Sequence, residues 1–146
     1  MKLFEVHAKA PSGRLLTINI ICNNLSEIEN LLDKEKTKWQ VASLNVSHAT
    51  LIANTEDKEN ILIIGEKITK LFKVVAEVEI VDIVNGNDDI TITITSHIAC
   101  NNLSEIESLL DKTKWKLIEV IDILQIADLT DTKKTLIIGE EQKKNK

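Results

Sequence analysis

The chain has 146 residues, of which 43% are hydrophobic and 28% charged, with four glycines, one proline and a formal net charge of −5. Such a chain can bury a continuous core, and the composition excludes a disordered or fibrous protein. The acidic balance, the lone arginine at Arg14 and the 3% aromatics without tyrosine disfavour nucleic acid, which wants cations for its phosphates and rings for its bases.

Residues 3–9 read as a first strand, and the AlaProSerGly of residues 10–13 as a turn in which Pro11 presets φ and Gly13 accepts a positive value. Residues 15–22 return as a second strand ending at Cys22. The phrase CNNLSEIENLLDK then opens a short amphipathic helix with Leu25, Ile28, Leu31 and Leu32 on one stripe. Ser26 followed by Glu29 reads as a capping box, in which serine and glutamate satisfy early helix donors reciprocally. A β-rich segment begins at Trp39, residues 54–60 form a polar loop, and LIIG from Leu62 is a closing strand whose glycine marks the exit from the core.

The same order then recurs. KLFKV from Lys70 answers KLFEV from Lys2, CNNLSEIESLLDK from Cys100 answers the phrase at Cys22, Trp115 answers Trp39, and LIIG from Leu136 answers LIIG from Leu62. The second copy lengthens its hairpin: a strand over 72–84, Asn-Gly at Asn85 as the turn, and 90–100 returning. In that returning strand Ile90, Ile92, Ile94 and Ile98 alternate with Thr91, Thr93, Thr95 and His97, a pattern with one face on a core and one in water. Ser104 and Glu107 repeat the box, and Leu103, Ile106, Leu109 and Leu110 the stripe. The segment WKLIEVIDILQIADL reads as alternating apolar and polar positions.

The fold expectation is α+β: a tandem duplication of a ββαβ(β) unit, antiparallel-rich sheets each with one short helix, and a pseudo-two-fold arrangement. Residues 1–68 form the first repeat, 69–140 the second, and 141–146 a charged tail. The short, partly apolar connection 65–70 is a poor flexible linker and favours one body over two separate domains.

Catalytic equipment is not announced. Cys22 and Cys100 are too few for a disulfide framework and too distant for a metal-ligand pair, and their repetition at one structural position suits packing. His7, His48 and His97 occupy unmatched positions without metal-ligand spacing. Asp88 and Asp89 flank a turn, where aspartate is ordinary. No phosphate-binding glycine loop or nucleophile elbow occurs. The reading is therefore no catalytic residue, no metal and no cofactor. Trp39, Trp115, Thr91, Thr93 and Thr95 are the candidates for contact with a ligand or partner.

The KLFEV and KLFKV cores, the SEIE caps at Ser26 and Ser104 and the closing LIIG strands resemble an uncharacterised tandem-repeat family, a domain of unknown function of bacteriophage and Bacteroidetes proteins. That resemblance implies a phage or mobile-element origin and transfers no catalytic residue. The resulting expectation is a non-catalytic interaction protein, working through a protein partner or self-association, as a modulator of a host factor or a virion accessory. The alternative is a small-ligand-binding or sequestering protein with a pocket at the inter-repeat interface near Trp39 and Trp115. With no apolar leader and no run approaching a membrane span, the expected setting is cytoplasmic or virion.

Overall fold

The computed structural model describes residues 1–57, 59–81, 89–113 and 115–139. Its elements are β1 (Lys2–Lys9), β2 (Leu15–Cys22), α1 (Ile28–Glu35), β3 (Asn45–Asn54), β4 (Ile61–Ile64), β5 (Lys70–Val81), β6 (Asp89–Cys100), α2 (Ile106–Asp111), β7 (Lys116–Asp128) and β8 (Thr135–Ile138). The class is mixed α+β. The expected Asn-Gly turn at Asn85, the Asp88 side of the aspartate pair and the tail 141–146 lie outside the described residues.

Two compact units emerge, one of residues 1–55 with 127–146, the other of 56–126. Their boundaries cut across the sequence repeats 1–68 and 69–140, and the connection 65–70 does not separate them. The reason is the closing strands. β8, from the second sequence copy, runs parallel to β2 with Ile18 opposite Thr135 and Ile21 opposite Ile138. β4, from the first copy, runs parallel to β6 with Ile61 opposite Ser96 and Ile64 opposite Ala99. Each LIIG strand thus closes the sheet begun by the other copy.

In the first unit the strand order is β3-β1-β2-β8, with β1 antiparallel to both neighbours. Phe4, Val6, Leu16, Ile18, Ile20 and Ile137 on one face meet Ile28, Leu31 and Leu32 of α1 and the ring of Trp39. Burying each of the three helix side chains contributes about 1.5–3 kcal/mol, which an eight-residue helix needs because its own hydrogen bonds leave it marginal. In the second unit the order is β7-β5-β6-β4. There Phe72, Val74, Ala76 and Ile98 meet Ile106 and Leu110 of α2.

Both helical segments are capped two residues earlier than the serine reading supposes. The cap is Asn24, and Glu27 Oε2 accepts from the N–H groups of Asn23 (3.0 Å) and Asn24 (2.8 Å). Asn102 and Glu105 repeat this, with Asn101 and Asn102 donating at 3.1 and 2.8 Å. A single 3-10 turn follows each cap before the α-helix begins. That turn carries Leu25 and Leu103 out of the apolar stripe, leaving them 57% and 55% exposed.

β3 and β7 also depart from simple alternation. β3 meets β1 with register shifts at Leu3/Phe4 and His7/Ala8, which insert Ile52 and Ser47 as extra residues. Its exposure therefore repeats every third residue, and the last ten residues of β7 follow the same pattern position for position. Val46 and Ala49 in β3, and Leu117, Val120 and Ile123 in β7, turn toward the helix-covered core. The residues between them project away in pairs.

Candidate functional site

The repeated cysteines come first, since a cysteine near a helix start is a classical nucleophile position. Both are buried and unpaired as disulfides. Cys22 Sγ donates to Asn24 O and Cys100 Sγ to Asn102 O, each at 3.4 Å. Burial, reinforced by the nearby carboxylates of Glu27 and Glu105, pushes each thiol from 9.0 up to about 11. A thiol held protonated in this way is a poor nucleophile. The glycine ending each LIIG strand explains why the cysteines recur. Gly139 lies over Cys22, where an added Cβ would stand 3.3 Å from Cys22 Cβ and 3.3 Å from Ile21 O; Gly65 lies over Cys100, 3.2 Å from its Cβ. Neither glycine has a positive φ, so close approach between strands is the requirement, rather than the exit turn expected from sequence.

Trp39 and Trp115 are buried, 3% and 7% exposed, with Trp39 in the core of the first unit. The Trp39 indole N–H donates to Thr132 O at 3.1 Å, and the neighbouring Lys38 Nζ donates to Leu129 O at 2.8 Å. Those bonds tie the segment after α1 to the loop before β8, both within the first unit. Thr91, Thr93 and Thr95 stand exposed on β6, opposite Glu79, Glu77 and Val75 of β5. The structure therefore puts the threonines on an accessible face and the tryptophans in cores.

Sequence spacing gave no sign of one cluster. Glu5 and His7 on β1, Thr17 on β2 and His48 on β3 share the first unit's outer face. His7 Nε2 lies 3.1 Å from Glu5 Oε1, Thr17 Oγ1 lies 3.3 Å from His7 Nδ1, and the His7 and His48 rings are 6.1 Å apart. Hydroxyl, imidazole and carboxylate in a chain are the parts of a nucleophile-and-base relay. Here they lie across an exposed sheet face, side chains of Glu5 and His7 42% and 44% accessible, so water competes with every contact. The arrangement is a cross-strand polar ladder. Among the described residues no group of three or more His, Cys, Asp or Glu is placed to hold a metal ion.

The outer face of the second unit is built differently. Position for position, Ser47 and Thr50 of β3 correspond to Ile121 and Leu124 of β7, and His48 to Asp122. Ile118, Ile121 and Leu124 form a row along β7, 48%, 53% and 55% exposed. Glu119 and Asp122 stand beside that row, also exposed. On the adjacent strand β5, Lys73, Val75, Glu77 and Glu79 project to the same side, because Phe72, Val74 and Ala76 point to the core. Lys116 Nζ lies 3.9 Å from Glu79 Oε2. An open groove of about 560 Å³ also runs beside the start of α1 in the first unit, between Leu25, Ile28 and Glu29 on one side and Val46 and Ala49 on the other.

No protein-family model, curated protein or solved structure matches the chain. No helix among the described residues is long and apolar enough to cross a membrane.

Proposed function

We propose that this chain is a non-catalytic protein-binding module, produced by duplication of a ββαβ unit with a closing strand, whose contact surface is the outer face of β7, β5 and β6. One observation carries the reading. Ile118, Ile121 and Leu124 are half-exposed on a strand whose counterpart, β3, keeps the same inward pattern with Ser47 and Thr50 at two of the equivalent places. The strand's own packing does not need isoleucine and leucine there. Large apolar side chains in a row on a solvated face are characteristic of surfaces covered by another protein. The exposed threonines of β6 extend that face with side chains that donate and accept.

The test is the double substitution Ile121→Ser with Leu124→Thr, which gives β7 the residues β3 already carries. Tagged wild-type and doubly substituted chains would be expressed in the native host and their co-purifying proteins compared. A partner held by the wild type and lost from the folded double variant supports the proposal; identical recoveries from both sink it. A phage or mobile-element origin belongs to the same proposal, and the neighbouring genes test it directly.

A further inference from the structure

From the charges around the apolar row, we infer that the partner presented to this face is a cationic, partly apolar protein segment, lysine- or arginine-bearing side chains alternating with aliphatic ones. The inference rests on the binding face proposed above. Each outward pair on β7 sets an apolar side chain next to a polar one: Ile118 with Glu119, Ile121 with Asp122, Leu124 with Gln125. Glu119, Asp122 and the adjacent Glu77 make no ion pair with a described residue, whereas Glu79 lies within reach of Lys116. A segment matching this pattern seats its aliphatic groups on Ile118, Ile121 and Leu124 and its cations on the carboxylates beside them.

Charge also selects against the competing occupants. Against the carboxylates of Glu77, Glu79, Glu119 and Asp122 this side sets only the cations Lys73 and Lys116, so a second copy brings an excess of like charge to the contact as well as a net charge of −5, and like charges opposite each other across paired strands are destabilising. Nucleic acid and anionic membrane surfaces meet the same repulsion.

The experiment measures fluorescence anisotropy of two labelled synthetic peptides, one repeating Lys-Ser-Val-Ser and one repeating Glu-Ser-Val-Ser, so that an extended chain turns its charged and aliphatic side chains to the same face, against the full chain at low and high salt. The expected result is binding of the Lys peptide alone, weakened by salt. Replacing Glu77→Gln, Glu119→Gln and Asp122→Asn together is expected to weaken it about tenfold or more, since several charge contacts are lost at once. The control triple Glu29→Gln, Asp33→Asn and Glu35→Gln removes as much charge from α1 and is expected to leave affinity within about twofold.

Equal losses from both triples would overturn the inference, because attraction would then be to net charge alone. Binding of both peptides alike, abolished by Ile121→Ser with Leu124→Thr, would overturn the partner's charge and leave the face standing. Loss through the β7 and β5 carboxylates with no effect of the apolar double variant would instead remove the apolar face. Sedimentation velocity checks the remaining occupant: a dimer dissolved by the apolar double variant would make a second copy the partner and overturn the inference. Circular dichroism establishes that each variant is folded, and Ile118→Thr replaces the double variant should that one unfold.

Discussion

Ser96 is the sharpest place to test how the second unit holds together. It is fully buried on β6, opposite Val74, and its hydroxyl has no hydrogen-bond partner among the described groups. Counted back from the repeated cysteines, its counterpart on β2 is Ile18, also fully buried. An unmatched buried hydroxyl costs about 1–3 kcal/mol in lost hydration, while deleting the oxygen forfeits only a handful of dispersion contacts, about 0.5–1 kcal/mol together. Ser96→Ala is therefore expected to stabilise the protein by about 0.5–2 kcal/mol, seen as a higher midpoint in urea with unchanged slope. For a chain of this size each kcal/mol should raise the melting temperature by about 2–4 °C. The reciprocal change, Ile18→Ser, should cost about 3–5 kcal/mol, because it removes a filled apolar site and strands a hydroxyl. If Ser96→Ala instead destabilises by more than about 1 kcal/mol, the hydroxyl is bonded in the folded protein and the reasoning fails.

The register of the helix caps separates Glu27 from Ser26 and Glu29, one and two positions away. Glu27→Ala should lose about 1–2 kcal/mol by freeing two backbone donors, whereas Ser26→Ala and Glu29→Ala should each change stability by less than about 0.5 kcal/mol in the same denaturation assay. Gly139→Ala should cost about 1–3 kcal/mol, since its Cβ presses on Cys22 and on the carbonyl of Ile21; normal stability would show that the strands part easily. The two thiols should react with a disulfide reagent far more slowly in the native protein than in urea. Their folded value of about 11 against 9.0 means the unfolded chain loses those protons first, so stability should decline as pH rises from 9.0 toward 11. His97 works in the opposite range. Burial, with Lys73 beside it, lowers its value below 6.5, so the unfolded state takes up the proton first. Stability should be complete above 6.5 and fall with further acidification, and His97→Asn, the residue at the matching place on β2, should flatten that dependence.

Much of the architecture was legible because local chemistry determined it. The Pro11–Gly13 turn forms as its residues demand, with Gly13 at φ 92° and its N–H donating to Ala10 O. The alternation of Ile and Thr along β6 places Thr91, Thr93 and Thr95 in solvent and Ile98 in the core. The cap register was ambiguous because Asn24-x-x-Glu27 and Ser26-x-x-Glu29 overlap and both satisfy the pattern. The 3-10 turn decides it, by burying Ile28, Leu31 and Leu32 at the expense of Leu25. The partner of each LIIG strand was not legible at all. A four-residue run apolar on both faces fits beside any buried strand, and its choice of β6 or β2 is made by non-local pairing and by the glycine that lets it approach a cysteine.

The candidate surface was half visible. The exposure of Thr91, Thr93 and Thr95 on β6 follows from alternation, while the apolar row of β7 was hidden by the same rule. Alternation assigns side chains to faces with period two, whereas exposure along β3 and β7 repeats every third residue. Under period two, Ile118 shares a face with Val120; in the structure Val120 packs into the core and Ile118 points outward with Glu119. Inward positions of β3 and β7 agree because both must cover a helix-backed core, and that constraint acts on Val46 and Val120 alike. Outward positions are released from it. The difference between Ser47 and Thr50 on β3 and Ile121 and Leu124 on β7 alters the outer face while leaving the inward positions in place, so two strands with one burial pattern offer unlike surfaces.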